Sequence, residues 1–232
     1  MFDRFRLAAS TADPAEEPRA RSDADLIEFR ADLADDPRAA LSAYDGELPL
    51  LVTNRPSWEG GAAESADRLG VLTDALTHEA VVAVDVELAT LRGRSESGDI
   101  DPVALRRRAA EAGVDVIASV HDFDGTPDDE TLDRLLSAAT AAGDIGKLAV
   151  TAADTTDALA LLSATRRAAE RGERVATVAM GAAGAHTRAV APVYGSRIGY
   201  APVRAEAATA PGQYDLATLR RLVGDLVPSD RR

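Results

Sequence analysis

The chain has 232 residues, a formal net charge of −13 and no cysteine. Its length suits one large domain with a sizeable core, and barrels of this size are routinely single domains. The charge argues against nucleic-acid binding, which needs a basic face, and the lack of thiols excludes disulfides, thiolate metal sites and cysteine nucleophiles.

No stretch approaches the ~18 apolar residues of a membrane span. The start, Met1-Phe2-Asp3-Arg4-Phe5-Arg6, lacks a secretory pattern. A cytoplasmic location with no membrane partner is therefore expected. The acidity is dispersed, as in Asp13 to Glu17, Asp32 to Asp36 and Asp128 to Asp133. That describes a solvated surface rather than a docking patch. A halophilic, high-salt setting would select such a surface, because screening removes its self-repulsion. A GC-rich genome would also exchange Lys for Arg.

Short apolar runs alternate with Ala/Leu-rich stretches along the whole chain. The runs, flanked by Gly, Pro, Asp or Asn, predict strands over Phe5–Ala9, Asp25–Phe29, Leu50–Asn54, Val81–Glu87, Val114–Val120, Gly146–Val150, Arg174–Met180 and Ile198–Ala201. Helices are predicted over Pro37–Tyr44, Ala63–Thr77, Pro102–Ala112, Asp128–Ala142, Thr155–Arg171 and Asp215–Leu226; several open on Pro or an acid and close at Gly113, Gly143 or Gly172. Eight such units indicate an α/β fold, a (β/α)8 TIM barrel over residues 1–232. An open doubly wound sheet would carry a Gly-rich phosphate loop after its first strand, and Ser10-Thr11-Ala12-Asp13-Pro14 has none. The first crossover, Thr11 to Ala24, is short and rich in Pro, Glu and Arg. Its outer helix should be reduced or missing, and the helix before the last strand should be truncated.

In a parallel barrel, chemistry sits at the C-terminal strand ends. Those ends read Glu28-Phe29-Arg30, Thr53-Asn54-Arg55, Asp85-Val86-Glu87 and Ser119-Val120-His121. Lys147 lies in the sixth strand, the seventh leads toward Arg188, and the last leads toward Thr209 and Gln213. Convergence of polar groups on one mouth favours an active site.

Of the 26 basic side chains, 25 are arginine; the exception is Lys147, within Asp144-Ile145-Gly146-Lys147-Leu148-Ala149-Val150. Unlike arginine, lysine can lose its proton and act as a nucleophile. Its amine can form an imine with a ketone or aldehyde. The protonated imine acidifies the adjacent carbon, and His121, one strand away, could remove that proton and later protonate a leaving hydroxyl. His78 and His186 read as mainly structural. Arg30, Arg55 and Arg188 suit an anionic, oxygen-rich substrate and would help lower the lysine pKa. Glu28, Glu59 and Glu87 are candidate counter-charges. No metal-ligand spacing is evident, and neither a metal nor another cofactor is needed if the imine withdraws the electrons.

These segments resemble the type I 3-dehydroquinate dehydratase family. Glu28-Phe29-Arg30-Ala31-Asp32 is similar to its Glu-x-Arg-x-Asp strand end, and Arg55 with Glu59-Gly60-Gly61 to its Arg…Glu-Gly-Gly segment. Ser119-Val120-His121-Asp122-Phe123 resembles the Ser-x-His-x-Phe signature, and the Lys147 strand resembles the Schiff-base strand. Met180 through Arg188 and Thr209-Ala210-Pro211-Gly212-Gln213 resemble two carboxylate-binding segments. The family usually has Ser where Thr209 stands. Its first-strand contact cannot be aligned, since Ala8, Ala9 and Ser10 compete.

The resemblance implies a shikimate-pathway lyase serving chorismate and aromatic amino-acid biosynthesis. Lys147 would form the imine with 3-dehydroquinate and His121 would move the protons. Glu28, Phe29, Arg30, Arg55, Arg188, Thr209 and Gln213 would bind substrate, with Glu59 and Glu87 supporting from behind. A homodimer is compatible with this reading, although no helix face marks an interface. Two other readings are a Schiff-base aldolase or transaldolase acting on a sugar phosphate, and a barrel that only binds. The former usually needs a phosphate site near the last strands, where Thr209 to Gln213 offers a single Gly and no base. Val203–Gly212 is the lid candidate, on its small residues.

Overall fold

The computed structural model describes residues 1–64, 67–94, 100–204, 206 and 213–227. Among these, eight strands form one parallel sheet. They are β1 (Arg6–Thr11), β2 (Leu26–Arg30), β3 (Leu50–Thr53), β4 (Val81–Glu87), β5 (Asp115–Asp122), β6 (Ile145–Thr151), β7 (Val175–Met180) and β8 (Ile198–Pro202). The order is β7-β6-β5-β4-β3-β2-β1-β8. Closure comes from a parallel bridge between Val175 and Ser196, where the Arg197 amide donates to the Val175 carbonyl at 2.7 Å. The result is a (β/α)8 barrel.

The outer layer holds α1 (Pro37–Ser42), α2 (Arg68–Ala75), α3 (Leu88–Leu91), α4 (Pro102–Ala112), α5 (Asp129–Ala142), α6 (Thr155–Glu170), α7 (Thr187–Tyr194) and α8 (Leu216–Leu226). Five aspartates cap these helices. Asp36, Asp101, Asp128, Asp154 and Asp215 each accept a backbone amide of the first turn at 2.7–3.0 Å, which satisfies donors the helix itself leaves open.

The first crossover carries only a 3-10 turn, Pro14–Arg19, and α7 has 8 residues, as the composition of both segments suggested. The helix expected over Ala63–Thr77 is shorter. Helix α2 runs from Arg68 to Ala75. Upstream of it, residues 57–59 form a 3-10 turn, and at Gly60-Gly61 the chain folds back on Arg55. Helix α3 follows β4 directly and was not foreseen.

Side chains alternate between faces along each strand. On the inner face Ala8, Leu26, Leu51, Ala83, Ile117, Ile145, Ala176 and Ile198 pack with Phe2, which seals the N-terminal end. Two residues further on, the same face carries Ser10, Glu28, Thr53, Asp85, Ser119, Lys147, Val178 and Tyr200. The barrel interior is therefore apolar below and polar above, and the polar layer opens at the C-terminal mouth. Between barrel and helices lies the larger apolar cluster, including Leu7, Ile27, Phe29, Val52, Val84 and Val116.

Candidate active site

Lys147 sits mid-strand, 5% exposed, so its ammonium would be costly without partners. Asp85 supplies the closest: Nζ donates to Oδ2 at 2.8 Å. Ser119 Oγ donates to Asp85 Oδ1 at 2.6 Å, and Arg55 Nη2 to Oδ2 at 3.3 Å. Burial would raise the Asp85 carboxyl, but Lys147 and Arg55 hold it well below the usual carboxylate range. Glu28 Oε1 lies 3.9 Å from Nζ, and the Tyr200 ring lies beneath it, 4.3 Å from centroid to nitrogen. Burial lowers the Lys147 pKa, Arg55 lowers it further, and Asp85 and Glu28 oppose.

His121 ends the inner row of β5. Its backbone amide donates to Glu59 Oε1 at 2.9 Å, and Nδ1 lies 3.5 Å from the same oxygen without a hydrogen bond. Burial, then the Arg55 and Lys147 cations, keep the imidazole well below its ordinary pKa. It is therefore neutral near pH 7 and able to accept a proton. The Glu59-Gly60-Gly61 geometry explains its sequence. Gly60 has φ +77°, and a Cβ there would overlap the Phe123 ring, while one at Gly61 would overlap the Arg55 carbonyl. That tight return places Glu59 behind His121. Phe123 stacks on the imidazole with centroids 6.1 Å apart.

The cations differ in how they are held. Arg30 forks onto Asp32 at 2.9 and 2.6 Å. Arg55 leans on Asp85, with its Nε unpaired. Arg188, 5% exposed, has an unpaired Nε, and burial lowers its pKa to about 10. Tyr200 Oη is also buried and unpaired. Buried donors without partners are uncommon, and Arg55, Arg188 and Tyr200 line one cavity with Ser10, Glu28, Arg30, His121, Lys147, Met180 and Gln213. The cavity is built to be completed by an oxygen-rich anion. Among the described residues, no group of His, Asp and Glu is arranged to hold a metal, and no helix is long and apolar enough to cross a membrane.

Most residues singled out in the sequence converge here: Glu28, Arg30, Arg55, His121, Lys147, Arg188 and Gln213 all line the cavity, and Glu59 stands behind His121. Thr209 and most of the 203–212 lid candidate lie outside the described residues. Phe29 does not reach the cavity. It is one residue out of phase with Glu28 and Arg30 and packs under the helices. Glu87 also differs from expectation. It pairs with the fully buried Arg68 at 2.8 Å, and burial pushes its carboxyl up to about 7 despite that cation. The arginines' counter-charges are Asp32 and Asp85, not Glu59 or Glu87. Ser10, whose Oγ donates to Glu28, is the first-strand residue that faces the site. Asp85 and Tyr200 were missed, although strict alternation from Ala83 and Ile198 would have pointed both inward.

A family model of the type I 3-dehydroquinases matches residues 8–226. The 3-dehydroquinate dehydratase of Haloarcula marismortui is 58% identical over 226 residues, covering 97% of this chain and 97% of its own. That of Halobacterium salinarum is 47% identical, covering 97% and 99%. Among solved structures, 3-dehydroquinate dehydratase from Geobacillus kaustophilus superimposes with TM-score 0.83 at 30% identity, over 97% of this chain and 91% of that one. The type I enzyme from Clostridium difficile, solved with covalently modified comenic acid, gives TM-score 0.81 at 25% identity, over 96% and 92%.

Proposed function

Since this chain belongs to the type I 3-dehydroquinase family, we infer that it eliminates water from 3-dehydroquinate to give 3-dehydroshikimate, with Lys147 and His121 as the reacting groups. It is a hydro-lyase of the shikimate pathway, which leads to chorismate and the aromatic amino acids. The observation that carries the residue assignment is the single lysine of the chain, buried at the barrel mouth in one cavity with His121.

The neutral Lys147 amine adds to the C3 carbonyl carbon, and the carbonyl π pair moves to oxygen. With one proton taken up, the carbinolamine hydroxyl leaves as water and a protonated imine remains. That cation draws electrons from C2. His121 takes the C2 proton, and the freed pair forms the enamine. The pair then returns: C1–C2 becomes double, the C1–O bond breaks, and the imidazolium gives its proton to the departing hydroxyl. Hydrolysis of the imine releases product and amine. Proton removal and return use one group, which starts and ends neutral.

Arg188 is assigned to the substrate carboxylate, because a planar guanidinium with an unpaired Nε suits it. Gln213 lines the same cavity. Glu28, Arg30 and Arg55 are assigned to the ring hydroxyls, and Glu59 to orienting His121. Thr209 keeps the hydroxyl of its family position. The dispersed acidity fits a protein adapted to high salt, as do its relatives' organisms, Haloarcula marismortui and Halobacterium salinarum.

Borohydride reduction in the presence of 3-dehydroquinate tests this directly. With one lysine and one α-amine, intact-mass and peptide analysis is nearly binary. A ligand-sized adduct on Lys147 is expected, and Lys147→Arg should give neither adduct nor turnover. An adduct confined to Met1 would refute the imine.

A further inference from the structure

We propose that Asp85 is the positioning residue for Lys147, fixing the amine on the barrel axis and supplying the counter-charge of the protonated imine. This rests on the imine reading above.

Asp85 is fully buried, and its two oxygens are taken by three donors from three elements: Ser119 on β5, Lys147 on β6 and Arg55 after β3. Other charged and titratable groups face the amine. Glu28 of β2 is 3.9 Å away, but Ser10 and Thr53 hydroxyls occupy its oxygens. Arg30 of β2, His121 of β5 and Arg188 of α7 line the same cavity, and Tyr200 of β8 offers its ring face. Asp85 is the acid at hydrogen-bond distance from Nζ.

A buried carboxylate demands a cation. During the reaction the lysine nitrogen is cationic as ammonium and as protonated imine, but neutral when it attacks and again as enamine. Arg55, 3.3 Å from the same oxygen, is a standing second partner through the neutral stages. Asp85 can thus remain anionic throughout, attract the nitrogen whenever it is charged, and never be left unpaired. Its pull must also oppose release of the ammonium proton. Burial and Arg55 lower the amine's pKa against that pull, so the site trades readiness for attack against stability of the electron-withdrawing imine.

The test uses the full-length protein with lysine labelled by 15N at Nζ. One lysine gives one side-chain resonance, titratable without substrate. The folded Asp85→Asn variant should lower the Lys147 midpoint by about one to three pH units, the range expected for a charge at this distance. The lysine limb of the kcat/KM profile should shift with it, while kcat falls about 10-fold or more, because the imine cation has lost its partner. Asp85→Glu keeps the charge but moves it. Its midpoint should stay within about one unit of wild type while kcat falls, and it decides the matter if Asp85→Asn does not fold. An unshifted Nζ titration in Asp85→Asn overturns the proposal, and so does an undiminished kcat in either variant. If borohydride traps no imine in the wild type, the imine reading of Lys147 fails, whereas the Nζ titration still reports whether Asp85 controls the amine.

Discussion

Replacing Arg188 by Met should make the substrate-free protein more stable and the enzyme worse. Arg188 is 5% exposed and its Nε has no hydrogen-bond partner. Burial lowers its pKa by more than two units, to about 10. At 1.36 kcal/mol per unit, holding that guanidinium charged costs the folded state about 3 kcal/mol. The sign follows from linkage. Above about pH 10, up to the ordinary arginine value, the unfolded chain holds the proton more tightly, so stability rises with pH there and the whole penalty is present at pH 7. Met preserves most of the aliphatic volume, so Arg188→Met should gain about 1–3 kcal/mol, or several degrees in Tm for a chain of this size. With the substrate carboxylate as the proposed partner, KM should rise, and added product should stabilise wild type more than the variant. Thermal unfolding at fixed salt, with and without product, together with steady-state kinetics, reads all three. A variant less stable than wild type without ligand, with unchanged KM, would refute the reasoning.

Other outcomes follow from the same geometry. His121→Ala should still be trapped by borohydride but turn over about 10²–10⁴-fold more slowly; a wild-type rate would remove His121 from proton transfer. The folded pKa of His121 is depressed, so its contribution to stability should be lost as pH falls below its unfolded value of about 6.5, and His121→Ala should flatten that slope in denaturant titrations. Arg68→Met should destabilise by about 1–3 kcal/mol, because the Asn54 carbonyl and Thr90 lose a buried donor while Glu87, already raised to about 7, takes up a proton instead of staying charged; no loss of stability would contradict that role. With a net charge of −13, Tm and activity should rise with molar KCl, where the Debye length shrinks to about 3 Å. No rise would mean that the arginine-for-lysine bias reflects genome composition alone.

Local pattern settled a good deal. Apolar runs of strand length alternating with capped helices indicated eight β/α units, and Pro and Glu between Thr11 and Ala24 marked the missing first helix. A nucleophile's identity is also a local property, so one lysine among arginines marked Lys147, and Ser119 to Phe123 marked His121. What could not be read is what depends on partners distant in sequence. Asp85 and Lys147 are 62 residues apart, and only barrel closure brings Oδ2 within 2.8 Å of Nζ. Glu87 was expected to balance the site's arginines from behind, but its ion-pair partner at 2.8 Å is Arg68. Phe29, by contrast, was legible locally, since alternation from Glu28 and Arg30 turns it toward the helices. Composition and periodicity fixed the elements and the chemistry available to this chain. Tertiary structure alone decided which charges pair and which stay open for a ligand, because a buried charge takes its partner from whatever the fold places within a few ångströms.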